Sequence, residues 1–180
     1  MLSTIKKLLL LILILPGVSF AAGEGSLGAK ADTVQYRCEI VSIYAQLYKI
    51  SFEYGEILIN EDQAVIYRAS SEAAEAFDDV RKELERMYVP GAMDEPHRIL
   101  IKSVNTYTQS ARNIEKAIGI YTGEYLGDAE ESLELIDKSE KQVVLGNKYL
   151  SQSLDMHDKV LALDGEVSKS CKKYVAGISY

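Results

Sequence analysis

Apolar residues recur through most of this chain on spacings of three and four, the period of a helix with one buried face. Between Thr33 and Ile59 they fall at 34, 38, 41, 45, 48, 52 and 59. This spacing predicts a first helix, with Asp32 placed to cap its start. The stretch "NEDQ", Asn60 to Gln63, resembles a capping box, with an N-cap side chain and a Gln three residues on. A turn is expected there, then a second helix to about Tyr88 with the stripe Ile66, Ala69, Ala73, Phe77, Val80, Leu84 and Met87. The stripe keeps its phase across Asn60, so one bent helix over 33–88 is the alternative. Pro90 and Gly91 stop the second helix. The third begins near Asp94 or Glu95, where Pro96 suits the first turn and the acids complement the helix dipole. Its stripe runs Met93, His97, Leu100, Val104, Tyr107, Ala111, Ile114, Ile118, Tyr121 and Tyr125. After a turn at Gly127 and Asp128, a fourth stripe runs Leu133, Ile136, Val143, Leu150, Leu154, His157 and Leu161. Alternating β-branched runs are nearly absent, which argues against strands.

The four segments are of similar length, about 40 to 50 Å at 1.5 Å per residue, and short loops make neighbours antiparallel. The expected fold is all-α, an up-down-up-down four-helix bundle with packing of the coiled-coil type. A straight fourth helix running to Tyr174 would overshoot its partners by about 20 Å. "LDGE", Leu163 to Glu166, is the natural place to bend, leaving a short extra helix at the C-terminus.

The N-terminus changes the picture of where this bundle works. Lys6 and Lys7 precede the apolar run Leu8–Leu15, and small residues stand at Ser19 and Ala21. That order marks a secretory signal peptide over 1–21, with cleavage after Ala21, or next after Ala22. An uncleaved anchor is the alternative, although eight strongly apolar residues fall well short of the about 20 a membrane span needs. Residues 22–31 read as a flexible leader and 32–180 as a single helical domain. Removing 1–21 leaves 18 basic against 27 acidic residues. Such a chain lacks the basic footprint of nucleic-acid or anionic-lipid binding. No later apolar run is long enough to cross a membrane. The expected location is secreted or periplasmic, outside the cytoplasm.

A helix ending in "LERMYVP", a histidine seven residues past that proline in "PGAMDEPH", and the long helix "HRILIKSVNTYTQSARNIEKAI" together form a pattern. It resembles exported helical-bundle proteins and lipoproteins of bacteria and archaea of uncharacterised function. The resemblance covers about residues 33–160 and rests on the Pro, the His and the helical periodicity. It implies a four-helix fold outside the cytoplasm and no known activity. The chain lacks the lipobox cysteine of the lipoprotein members.

Catalytic and cofactor signatures are sparse: there is no G-x-S-x-G, P-loop, H-E-x-x-H or C-x-x-C-H. Asp94-Glu95-Pro96-His97 matches one Glu-x-x-His of a di-metal bundle imperfectly, and His157 has Leu154 at the matching position. No cofactor is expected. Cys38 and Cys171 are expected to pair, because an exported chain with two cysteines commonly forms a disulfide. A four-helix order brings both to one end; a three-helix order separates them.

His97 and His157 lie thirty residues on either side of Gly127. In an antiparallel hairpin turning there they face each other, close to Met93. Imidazole and thioether are copper ligands, which makes His97, His157 and Met93 candidates for a copper or zinc site. The opposing expectation is hydrogen-bonded core histidines with methionine filling space. The leading reading is a non-enzymatic exported bundle that binds a protein or small-ligand partner or supports the cell envelope. A metal-binding bundle comes second, and an enzyme with a site assembled across helices third. Oligomeric state is open.

Overall fold

A computed structural model of the chain describes residues 31–59, 62–161 and 171, with the backbone alone at 31 and 32. The expected signal peptide over 1–21 and leader over 22–31 (its last residue apart), and the stretch after Leu161 where a short extra helix is expected, lie outside the described residues except for Cys171. Among those described, the protein is all-α. The long helices are α1 (Ala31–Leu58), α2 (Gln63–Arg86), α3 (Asp94–Thr122) and α4 (Ala129–Leu161), with a 3-10 turn at Gly91–Met93. No helix among the described residues is long and apolar enough to cross a membrane.

Local chemistry sets the boundaries. α1 ends at Leu58 and α2 begins at Gln63, two helices where a single bent one was the alternative. The α2 cap is Asp62, not Asn60: its Oδ1 accepts from the backbone N–H of Ala64 and Val65. Asp62 is the extended residue just before the first helical turn, the position whose side chain meets the open amides. α3 stops at Thr122, three residues before the expected end. Gly123 takes the left-handed conformation at φ 87°, which a residue with a Cβ adopts only at a cost. Asp128 caps α4 through Oδ1 to the amide of Glu131 at 2.9 Å.

The helices pack in sequence, α1 on α2, α2 on α3, and α3 on α4, in a bundle-like arrangement. One core runs through it, from Ile40, Ile43 and Leu47 through Phe77 and Leu84 to Leu100, Ile114, Ile118 and Ile136. The expected α2 stripe is the buried one, except that Met87 is only partly covered. The α3 stripe is buried from Met93 to Ile118. Tyr121, Tyr125 and Leu133 are exposed instead: α3 ends early, and the chain turns back so that the Tyr125 amide meets the Gly119 carbonyl at 3.1 Å.

α1 departs most from expectation. Its buried large apolar residues are Tyr36, Ile40, Ile43, Leu47, Tyr54 and Leu58, with Cys38 buried in the disulfide. Tyr48, Phe52 and Ile59 of the expected stripe are 54%, 46% and 47% exposed. α1 is apolar on two faces, and periodicity alone does not say which one meets the core.

The α3–α4 seam follows a seven-residue repeat of small residues: Pro96, Ser103, Ser110 and Ala117 on one helix, Ser153, Gly146, Ser139 and Ser132 on the other. Each facing pair is joined by a serine hydroxyl donating to backbone carbonyl across the interface. Ser153 donates to Pro96 at 2.7 Å, Ser103 to Gly146 at 2.8 Å, Ser139 to Ser110 at 3.1 Å, and Ser132 to Ala117 at 2.9 Å. Small side chains bring the helices close enough for those bonds, and a strict seven-residue period is the repeat of supercoiled helices. Gly146 makes room for the Tyr107 ring, since a Cβ there would lie 2.8 Å from it.

Candidate functional site

The larger core positions of α4 repeat with the same period, as Ile136, Val143, Leu150 and His157. On α3 a matching series runs His97, Val104, Ala111 and Ile118. Two histidines therefore occupy positions that the pattern otherwise gives to apolar residues, and both are buried. From α1, the buried Tyr36 reaches between them. Its hydroxyl oxygen lies 3.0 Å from His97 Nδ1 and 2.9 Å from His157 Nε2. The rings are tilted against it, with centroids 5.8 and 5.9 Å away.

The direction of every hydrogen bond follows from one fixed end. His97 Nε2 lies 3.0 Å from the Leu84 carbonyl, which can only accept. Nε2 therefore carries the hydrogen, and in the neutral ring Nδ1 accepts from Tyr36 O–H. The Tyr36 oxygen then accepts from His157 Nε2–H. His157 Nδ1, left as an acceptor, takes the hydroxyl hydrogen of Tyr44 at 2.9 Å. Ser153, 3.0 Å from the Tyr44 oxygen and 3.3 Å from His157 Nδ1, donates its own hydrogen to Pro96. The result is a directed chain, Tyr44 to His157 to Tyr36 to His97 to Leu84, across all four helices.

The far end has structural work of its own. Leu84 is in the last turn of α2, where carbonyls run out of helical partners. Its oxygen takes the Met87 amide at 3.2 Å as well as the His97 imidazole. The stretch "YVPGAMDEPHRIL" is thus a connection whose histidine ties the helix that follows to the end of the helix before it. Met93, also buried, packs in the core at this end.

Burial determines the charge state. It pushes the His157 imidazole down to about 4, and the neighbouring His97 pushes the same way. His97 is also lowered by burial, against the opposing influence of its bond to Leu84 and of Asp94. Burial raises both phenols, Tyr36 with further help from Tyr44, Asp94 and Glu39. At neutral pH all four side chains are uncharged, as the directed chain requires.

The structure brings His97 and His157 together through a phenol that was not among the expected site residues. Tyr36 and Tyr44 were missed because the expected α1 stripe was the outer one. The available signal was the second series on α1, Tyr36, Ile40, Ile43 and Leu47, which places the tyrosine at the histidine end. Among the described residues, no three His, Cys, Asp or Glu side chains gather into a group that would hold a metal. A metal here would draw on Tyr36 or Met93, and each imidazole nitrogen is already engaged.

Next to the chain, Gln35, Tyr36, Glu39 and Tyr88 line an open depression of about 290 Å³. Elsewhere in the bundle, a small cavity of about 10 Å³ lies among Ser51, Tyr54, Tyr107, Ser110 and Asn147, room for about one water. Above the histidine end, Cys38 and Cys171 form a disulfide with Cα atoms 5.2 Å apart. Set against models of known protein families, curated proteins and solved structures, the chain matches none.

Proposed function

We propose that this chain is an exported, non-enzymatic helical-bundle protein that serves as a binding or cell-envelope-associated module, like the exported bundle proteins it resembles. Its helices run up-down-up-down, and a short further helix follows α4. The facing pairs His97/His157, Tyr107/Asn147 and Asn113/Gln142 on α3 and α4 support that order. So do Tyr54/Ser70 and Gln46/Glu83 on α1 and α2, since in each set one number rises as the other falls. The disulfide suits an oxidising compartment outside the cytoplasm, and residues 1–21 have the order of a cleaved signal.

One observation carries the non-enzymatic reading. The most elaborate polar cluster is closed on itself: each imidazole nitrogen and each phenol oxygen meets another group of the protein at 2.9–3.0 Å. A general base needs a free acceptor aimed at a substrate proton. The second reading, a copper or zinc bundle, rests on the convergence of two imidazoles on one phenol oxygen, with the buried Met93 four residues before His97. The experiment has two parts. The protein from its native host should begin at Ala22 or Gly23 and be found outside the cytoplasm; a cytoplasmic chain that keeps Met1 defeats the export reading. In equilibrium dialysis with zinc or copper, the native protein and His97→Gln/His157→Gln should both bind none. One sub-micromolar ion per chain, lost in the double variant, establishes the metal reading instead.

A further inference from the structure

We propose that residues 172–180 lie along the outer face of α1 and cover Val41, Ala45 and Tyr48. That face, 34, 38, 41, 45, 48, 52 and 59, is a second apolar stripe on a helix whose other face fills the core. Tyr48 and Phe52 stack on each other there, 6.2 Å between centroids, and both remain about half exposed. Exposed apolar surface of this continuity marks a contact site. The disulfide says which segment arrives. Cys38 belongs to this stripe, and its bond sets Cys171, itself buried and helical, upon it, with Val34 and Val41 packed against the pair.

The sequence beyond Cys171 fits the surface it is delivered to. In "CKKYVAGISY", apolar residues at 171, 174, 175 and 178 fall on one helical face, with Lys172 and Lys173 off it. Nine helical residues extend about 13 Å, and Tyr48 lies about 15 Å along α1 from Cys38. Tyr174, Val175 and Ile178 therefore reach Val41, Ala45 and the near edge of Tyr48 when the segment runs beside α1 in the same direction. In the other direction the stripe ends within one turn of Val34.

A photoreactive benzoylphenylalanine at position 48 of the oxidised protein, irradiated in dilute solution and mapped by mass spectrometry, tests this. The expected main product is a link within one chain to 172–180, lost when Tyr174→Ser, Val175→Ser and Ile178→Ser are combined. Links between two chains, which would make the stripe a dimer interface, or the absence of any link to 172–180, overturn the proposal. Trypsin gives a second reading without a probe at 48. Cleavage after Lys173 should be several-fold slower in the native chain than in the triple variant; equal rates also overturn it.

Discussion

Replacing Tyr36 with phenylalanine removes one oxygen and leaves the ring to fill its space. Two buried groups then lose their partner together: the lone pair of His97 Nδ1 and the Nε2–H of His157, at 3.0 and 2.9 Å in the native protein. Orphaning a buried polar group costs about 1–3 kcal/mol. The rings can lean together and recover part of this, so the expected loss is about 3 kcal/mol for the pair. Tyr44→Phe is the internal comparison. Ser153 Oγ already lies 3.3 Å from His157 Nδ1 and can turn its hydrogen from Pro96 to the ring. The loss there should be about 1 kcal/mol. Urea unfolding followed by circular dichroism, with the disulfide intact, reads both. With a slope of about 2 kcal/mol per molar, Tyr36→Phe should lower the midpoint by about 1.5 M and Tyr44→Phe by about 0.5 M. A Tyr36→Phe shift below about 0.3 M, or the reverse ranking, would refute the directed chain.

Acid should weaken the fold through His157. Its folded value of about 4 lies below the ordinary 6.5, so the contribution is fully present above pH 6.5 and lost as pH falls toward 4; from pH 7 to 5 the loss is about 2 kcal/mol, and His157→Gln should flatten that slope in the same urea titration. Reducing Cys38–Cys171, which are 133 residues apart in sequence, should cost about 4–5 kcal/mol, seen as a lower melting temperature with helicity retained before the transition. Gly146→Ala drives a methyl to 2.8 Å from the Tyr107 ring and should cost about 1–3 kcal/mol in urea unfolding; a stabilised variant would mean that the α3–α4 seam is looser than described.

The helices were legible in the sequence because α2, α3 and α4 each carry one apolar face, so period and burial coincide. The histidine pair was legible through its symmetric distance from Gly127, although the hydroxyl between the rings was not. α1 was read on the wrong face for a physical reason: both faces are apolar, and choosing between them depends on where the other helices stand. Asp62 displaced Asn60 as the α2 cap because a cap is selected by backbone geometry at one residue, which composition over four residues does not resolve. The serine seam went unread because stripes were sought in large residues, whereas α3 and α4 approach through small ones whose hydroxyls meet carbonyls across the interface.

The tautomers of His97 and His157 test the central claim most directly. Two-bond and three-bond nitrogen–proton correlations on ¹⁵N-histidine protein at pH 7 distinguish Nε2–H, Nδ1–H and imidazolium. The hydrogen-bond directions set by the Leu84 carbonyl predict that both rings are neutral and carry the hydrogen on Nε2, with His97 staying so at Tyr44→Phe. An Nδ1–H ring or an imidazolium at either position at pH 7 would contradict the closed, neutral chain.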